Sequence, residues 1–186
     1  MNIILLAPPG GGKGTLAAQI VQKYNYEHIS TGDILREEKN KDTELGLSLR
    51  ETLGTGNLVS DEIVNRLVET KLKTIDKPFV LDGYPRTLEQ ANFLDSIAQI
   101  GLVIFLNVPD EVVIQRIIER GKTSGRQDDL SEEIIQHRLK QYYSETLPLR
   151  LYYAKQAKLS PIFGELSKEE VFKEFELLLS VFLTKH

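Results

Sequence analysis

The sequence contains no cysteine. That excludes a disulfide framework and any zinc site built on thiolates, and it fits a reducing compartment. There is no excess of positive charge either. Lys+Arg 23 stand against Asp+Glu 27, a net charge of −4, so the chain lacks the basic surface that bulk nucleic-acid binding requires. Long hydrophobic runs are also missing. The N-terminal stretch Ile3-Ile4-Leu5-Leu6 is too short for a membrane span, and with no basic residue before it and Pro8-Pro9-Gly10 behind it, it has the wrong flanks for a secretory signal. Internal repeats and low-complexity linkers are absent. What remains is 186 residues with 41% hydrophobic content, enough for one core with modest insertions. A cytoplasmic protein is expected, with neither nucleic acid nor membrane as partner.

Apolar runs alternate with amphipathic stretches of helical period, the pattern of a parallel sheet covered by helices. Strands are expected near Ile3–Ala7, Glu27–Ser30, Phe79–Asp82, Val103–Val108 and Pro161–Glu165, and their continuous apolar character predicts burial on both faces. Helices are expected after Ser60 and from Asp110, and another after a Ser131 cap. A further one should follow Ser167, which has capping-box spacing to Glu170. Two segments break the alternation: Ser30–Val59, long and polar, and Gly121–Leu130, short and rich in Gly, Arg and Asp. Both are expected to move over a central cleft, because ligands in an open parallel sheet sit beyond the carboxyl ends of the strands.

Ala7-Pro8-Pro9-Gly10-Gly11-Gly12-Lys13-Gly14-Thr15 lies between the first strand and a helix. Glycines allow successive backbone N–H groups to turn onto one anion, the helix adds its unsatisfied N–H groups and positive dipole end, and Lys13 adds a mobile cation. The segment departs from the strict phosphate-loop pattern, which has Gly where Ala7 stands and Ser or Thr where Gly14 stands. Asp82, within Leu81-Asp82-Gly83-Tyr84-Pro85-Arg86, ends a strand. Alone it reads as a turn residue; beside a phosphate loop it reads as a carboxylate holding Mg²⁺ through water. Arg86 has the planar fork that suits phosphate. In Ser30-Thr31-Gly32-Asp33-Ile34-Leu35-Arg36, Thr31 caps a helix or touches a base, and Arg36 is a ligand or a solvated surface residue. Arg116 and Arg120 share a helical face, and two adjacent cations there call for a nearby anion. Any one arginine could be an ordinary surface residue, but Arg36, Arg86, Arg116, Arg120, Arg126 and Arg138 are six of nine in the chain, and all fall on such motifs.

Taken in order, Gly10-Gly11-Gly12-Lys13-Gly14-Thr15, Ser30-Thr31-Gly32-Asp33, Asp82-Gly83-Tyr84-Pro85-Arg86-Thr87-Leu88-Glu89-Gln90 and Gly125-Arg126-Gln127-Asp128-Asp129 resemble the nucleoside monophosphate kinases, specifically adenylate kinases of the short-lid type, along nearly the full length. The resemblance implies an α/β P-loop NTPase fold of three layers around a five-stranded parallel sheet. It also implies an acceptor-binding insertion at 30–59, a short lid at 120–130, and transfer of the γ-phosphoryl of MgATP to AMP giving two ADP. Gly10, Gly11, Gly12, Lys13, Gly14 and Thr15 with Arg116, Arg120 and Gly164 would then bind ATP. Thr31, Arg36, Asn57, Leu58, Val59, Gly83, Tyr84, Pro85, Arg86 and Gln90 would form the AMP site, joined by Arg126 and Arg138, with Gln90 reading the adenine edge. Lys13, Arg86, Arg120, Arg126 and Arg138 would carry the phosphoryl transfer, and Asp82 the water-shelled Mg²⁺. A lid without the longer family insertion and without cysteine implies no structural zinc, and the family resemblance implies a monomer. Three departures stand out: Ala7, Tyr84 where Phe is common, and about one extra residue between Asp129 and Arg138. The rival readings are a UMP/CMP kinase, against which Thr31 and the Thr87-Leu88-Glu89-Gln90 run argue, and a non-catalytic nucleotide switch.

Overall fold

A strand whose neighbours are all parallel must bury both faces, and the sequence supplies apolar residues for both. In the computed structural model, which describes residues 1–124, 129 and 131–184, β1 (Asn2–Leu6) sits at the centre of the sheet. Its residues alternate between two cores, as the twofold side-chain period dictates. Ile3 and Leu5 pack with Leu16 and Ile20 of α1 (Lys13–Tyr24), Val113 and Ile117 of α6 (Asp110–Ser124), and Phe175 and Leu179 of α9 (Lys168–Thr184). Ile4 and Leu6 point the other way, onto Leu49 of α3 (Glu44–Gly54), Val68 of α4 (Asp61–Leu72), Leu94 of α5 (Leu88–Ile97) and Tyr153 of α8 (Leu149–Lys155). A helical layer therefore covers each face.

The remaining strands are β2 (Glu27–Ser30), β3 (Phe79–Asp82), β4 (Ile100–Asn107) and β5 (Leu159–Phe163), in the order β2-β3-β1-β4-β5, all parallel. The chain leaves β1 toward one side of the sheet and later crosses to the other, so the carboxyl end of β1 lies at a switch point, where open α/β sheets bind ligands. Register brings Ser30 level with Asp82, and Asp82 level with Leu5. β5 begins two residues earlier than the apolar run starting at Pro161 suggests. It is an edge strand, so the missing N–H of Pro161 is tolerated. Between β2 and β3 run α2 (Thr31–Lys39), α3 and α4. Within the expected lid, residues 120–124 form the last turn of α6, and of the rest only Asp129 is among the described residues. After α7 (Glu132–Gln141), the chain tightens into a π-helical turn, Tyr142–Thr146, before Pro148.

Candidate active site

The β1–α1 loop turns on Gly10 and Gly12, at φ +74° and +93°, conformations a side chain rarely adopts. Gly12 caps α1 with no side-chain acceptor, and the first turn of α1 holds no acidic residue. By contrast, α4, α5, α6, α7 and α9 all carry acids there. The N–H groups opening α1 thus have no side-chain cap and no acid in their own first turn, which suits them to an external anion. Ala7 fits without strain. A Cβ on Gly11 would lie 2.8 Å from that of Ala7, so the glycine at 11 makes the room that Ala7 uses. The Lys13 ammonium donates to the carbonyls of Ala7 at 3.0 Å and Pro8 at 3.1 Å, which holds it over the loop. Burial pushes its pKa down to about 8, helped by Arg86, Arg138 and Arg120 and opposed by Asp82.

One cleft of about 950 Å³ runs from this loop across the carboxyl ends of the strands. Its walls include Gly10–Thr15, Arg116, Arg120 and Gly164, and also Thr31, Arg36, Asn57–Val59, Gly83, Pro85 and Gln90, together with Asp82, Arg86 and Arg138. The volume is at the upper end of the roughly 300–1,000 Å³ usual for small-molecule sites. Tyr84 does not reach the cleft. Its side chain is fully buried, and its hydroxyl donates to Asn65 Oδ1 at 2.7 Å, with the Gln90 carbonyl at 3.2 Å. Its side chain thus supports the turn that carries Gly83 and Pro85, both of which line the cleft. Arg126 lies outside the described residues.

Thr31 is not a helix cap. Ser30 takes that role, accepting from the Asp33 N–H at 3.3 Å, and the Thr31 hydroxyl donates to the Gly83 carbonyl at 2.8 Å, tying the ends of β2 and β3 together. Arg36 pairs with Asp33. The Arg86 guanidinium folds back to donate to the Gly83 carbonyl at 2.8 Å, while the Thr146 hydroxyl, from the π-helical turn, donates to the Arg86 carbonyl at 2.9 Å. Burial and the nearby Arg138 lower the pKa of Arg86, and Asp82 opposes them. Arg116 donates to the Gly164 carbonyl at 2.8 Å, so the backbone atom expected near a base already holds an arginine. Both amide ends of Gln90 have protein partners: Oε1 accepts from the Arg86 N–H and Nε2 donates to Asp61 Oδ1, each at 2.7 Å.

Asp129 is a functional candidate to which the sequence reading gave no role. Its carboxylate, completely buried, accepts from Arg120 at 2.6 and 2.9 Å and from Arg138 at 2.8 Å. Burial pushes its pKa up, but the two arginines outweigh that and hold it below the ordinary value. Asp129 brings Arg138 of α7 beside Arg120 of α6. The signal in the sequence was an acid flanked by two arginine-bearing helices. Asp61, Asn65, Thr146 and His137, whose Nε2 lies 2.8 Å from Asn57 Oδ1, were also missed.

Asp82 suits a magnesium ion. Burial raises its pKa, but His28, Lys13 and Arg86 lower it further, so the carboxylate stays ionised. Its side chain is 16% exposed, and its Oδ2 lies 3.5 Å from His28 Nε2, beside Gly14 at the start of α1. No group of three His, Cys, Asp or Glu suited to a metal occurs among the described residues. That donor set suits an ion that keeps most of its water and takes phosphate oxygens as ligands. No helix among the described residues is long and apolar enough to cross a membrane.

Residues 5–158 match the family described as Adenylate kinase. The chain is 41% identical over 206 residues to the adenylate kinase of Fervidobacterium nodosum, covering 93% of this chain and 94% of the relative. It is 42% identical over 180 residues to that of Xanthomonas campestris pv. campestris strain B100 (93% and 96% covered). It is 40% identical over 215 residues to that of Methanosarcina barkeri (98% and 100% covered). With a glycine loop opening onto a cleft lined by arginines, and with these matches over nearly the whole chain, the chain belongs to the adenylate kinase family, enzymes that transfer a phosphoryl group between ATP and AMP.

Proposed function

We propose that the chain converts MgATP and AMP reversibly into two ADP within this single cleft, with its residues dividing the work as follows. Gly10–Thr15 hold the donor phosphates, and Arg116 and Gly164 border the donor nucleoside. Thr31, Arg36, Asn57–Val59, Gly83, Pro85 and Gln90 hold AMP. The observation that carries this reading is the convergence of Lys13, Arg86, Arg120 and Arg138, from four different segments, on one cleft, close enough that the three arginines lower the Lys13 pKa. A loose phosphoryl-transfer transition state spreads charge over its oxygens, so positioned cations with no covalent step supply the catalysis. Mg²⁺ near Asp82 would neutralise charge on the donor phosphates. Arg126 joins the cation set on sequence grounds.

Residues 30–59 act as the acceptor-binding unit and 120–130 as a short lid. The alignments with the Fervidobacterium and Methanosarcina relatives are longer than the 186 residues of this chain, so those relatives carry insertions that this chain lacks, which supports a compact lid. A cysteine-free enzyme of adenine nucleotides fits the cytoplasm, and a monomer is the proposed state.

The test is a panel of AMP, GMP, UMP and CMP with MgATP, followed by ADP formation. The expected result is a kcat/KM for AMP roughly 100-fold or more above the others. A pyrimidine monophosphate phosphorylated as well as AMP would replace this reading with a UMP/CMP kinase.

A further inference from the structure

The amide of Gln90 does not by itself choose a purine. Its oxygen and NH₂ are nearly isosteric, so the group can be turned end for end. Adenine presents an amino donor beside the N1 acceptor. A 6-oxopurine presents a carbonyl acceptor beside an N1–H donor. A freely turning amide matches either edge.

The structure removes that freedom. The Arg86 N–H is only a donor and takes Gln90 Oε1, and the Asp61 carboxylate is only an acceptor and takes Nε2. The inverted amide would set Oε1 against a carboxylate oxygen and NH₂ against an N–H, two repulsive contacts in a group only 2% exposed. Asp61 is itself held, because its Oδ2 accepts from the Thr87 hydroxyl at 2.8 Å, and that hydroxyl caps α5 by accepting from the Gln90 N–H at 3.1 Å. As the first residue of α4, Asp61 would favour the helix dipole from any solvated position. Instead its carboxylate crosses to α5. Gln90 still has one N–H and one oxygen lone pair to offer the cleft it lines.

We propose that Asp61 is a positioning residue that fixes the orientation of the Gln90 amide and so makes the acceptor pocket select a 6-aminopurine monophosphate over a 6-oxopurine one. This rests on Gln90 facing the acceptor base.

The test compares AMP with IMP as acceptors at saturating MgATP in the wild type, Asp61→Leu, Asp61→Ala and Asp61→Asn, with circular dichroism to confirm folding. Leucine matches the shape of aspartate without an acceptor. It is expected to lower the AMP/IMP ratio of kcat/KM by about tenfold or more, mainly through KM. Asparagine can turn its oxygen to Gln90 and its NH₂ to Thr87, and is expected to stay within about threefold of the wild-type ratio. A purely structural role would depress both acceptors alike and leave the ratio unmoved. An unchanged ratio in folded Asp61→Leu overturns the proposal, and an unchanged ratio in Asp61→Ala overturns it if the leucine variant does not fold. A wild type that fails to prefer AMP to IMP overturns the reading of the acceptor pocket instead.

Discussion

The loop around Lys13 made its place at the β1–α1 turn legible, but not its environment. Burial and three arginines from distant parts of the chain hold its pKa at about 8 against the ordinary 10.5. Because the folded value lies below the unfolded one, the ammonium form destabilises the fold up to about pH 8. That cost fades as the pH rises from 8 toward 10.5, where the unfolded chain binds more protons. Nucleotide binding runs the opposite way, since the donor phosphates need the ammonium. Calorimetry with MgATP is expected to show affinity falling by roughly tenfold between pH 7.5 and 9, with binding taking up protons at the upper end, read as heat that varies with the buffer. Lys13→Met should bind weakly at both values without that dependence. A pH-independent affinity in the wild type would show that Lys13 makes no ionic contact with the donor. Tyr84 shows the limit of motif reading at this scale. The motif places it in the acceptor site, yet the structure pairs its hydroxyl with Asn65, nineteen residues upstream, a contact no local pattern announces.

Elements were legible where the signal was local and strong. β2 and β3 have the expected bounds, but only β3 is the buried apolar run expected of both; β2, Glu27–Ser30, is an edge strand that buries Ile29 alone among its four residues. Ser131 caps α7, and Ser167 with Glu170 forms the expected capping box on α9. Ser60 makes no such bond, and the residue after it reaches to α5 instead. The π-helical turn was invisible, because an i→i+5 turn has no residue signature of its own. The link between α6 and α7 belongs to this scale, since Asp129 pairs with Arg120 of one helix and with Arg138 of the next. Asp129→Ala removes a buried acceptor from two charged donors. It is expected to destabilise the fold by about 2–3 kcal/mol in urea melts and to cut kcat by about tenfold or more. The stabilisation is complete above the ordinary carboxylate value of 3.8 and goes as the pH falls through the lower folded value. The difference in stability between wild type and variant should therefore shrink in acid. An alanine variant as stable and as active as the wild type would remove Asp129 from the machinery.

At the scale of the molecule, parallel topology does what no single motif can. Because all five strands run the same way, the ends of β1, β2 and β3 deliver the phosphate loop, Thr31 and Asp82 to one edge of the sheet, where the chain's reversal about β1 opens a crevice. The order of motifs along the chain made this placement readable. The separation and bridging of the two pockets depended on side chains that meet only after folding. The proposed pair of nucleotide pockets in one cleft has a consequence that a one-site nucleotide switch cannot imitate. Two adenosines joined through a chain of five phosphates should occupy both pockets at once, the second contact being intramolecular and so favoured by effective concentration. A ligand present at 1,000 times its Kd stabilises the folded state by about 4 kcal/mol, and about 2–4 °C of Tm accompanies each kcal/mol in a chain of this size. The dinucleotide is therefore expected to raise Tm well above the shift given by the same concentration of ATP or of AMP. The added shift should shrink in Gln90→Ala, which impairs the acceptor side alone. If the dinucleotide shifts the wild-type melt no further than ATP does, the second pocket holds no nucleotide, and the cations between the pockets have nothing to transfer a phosphoryl group to.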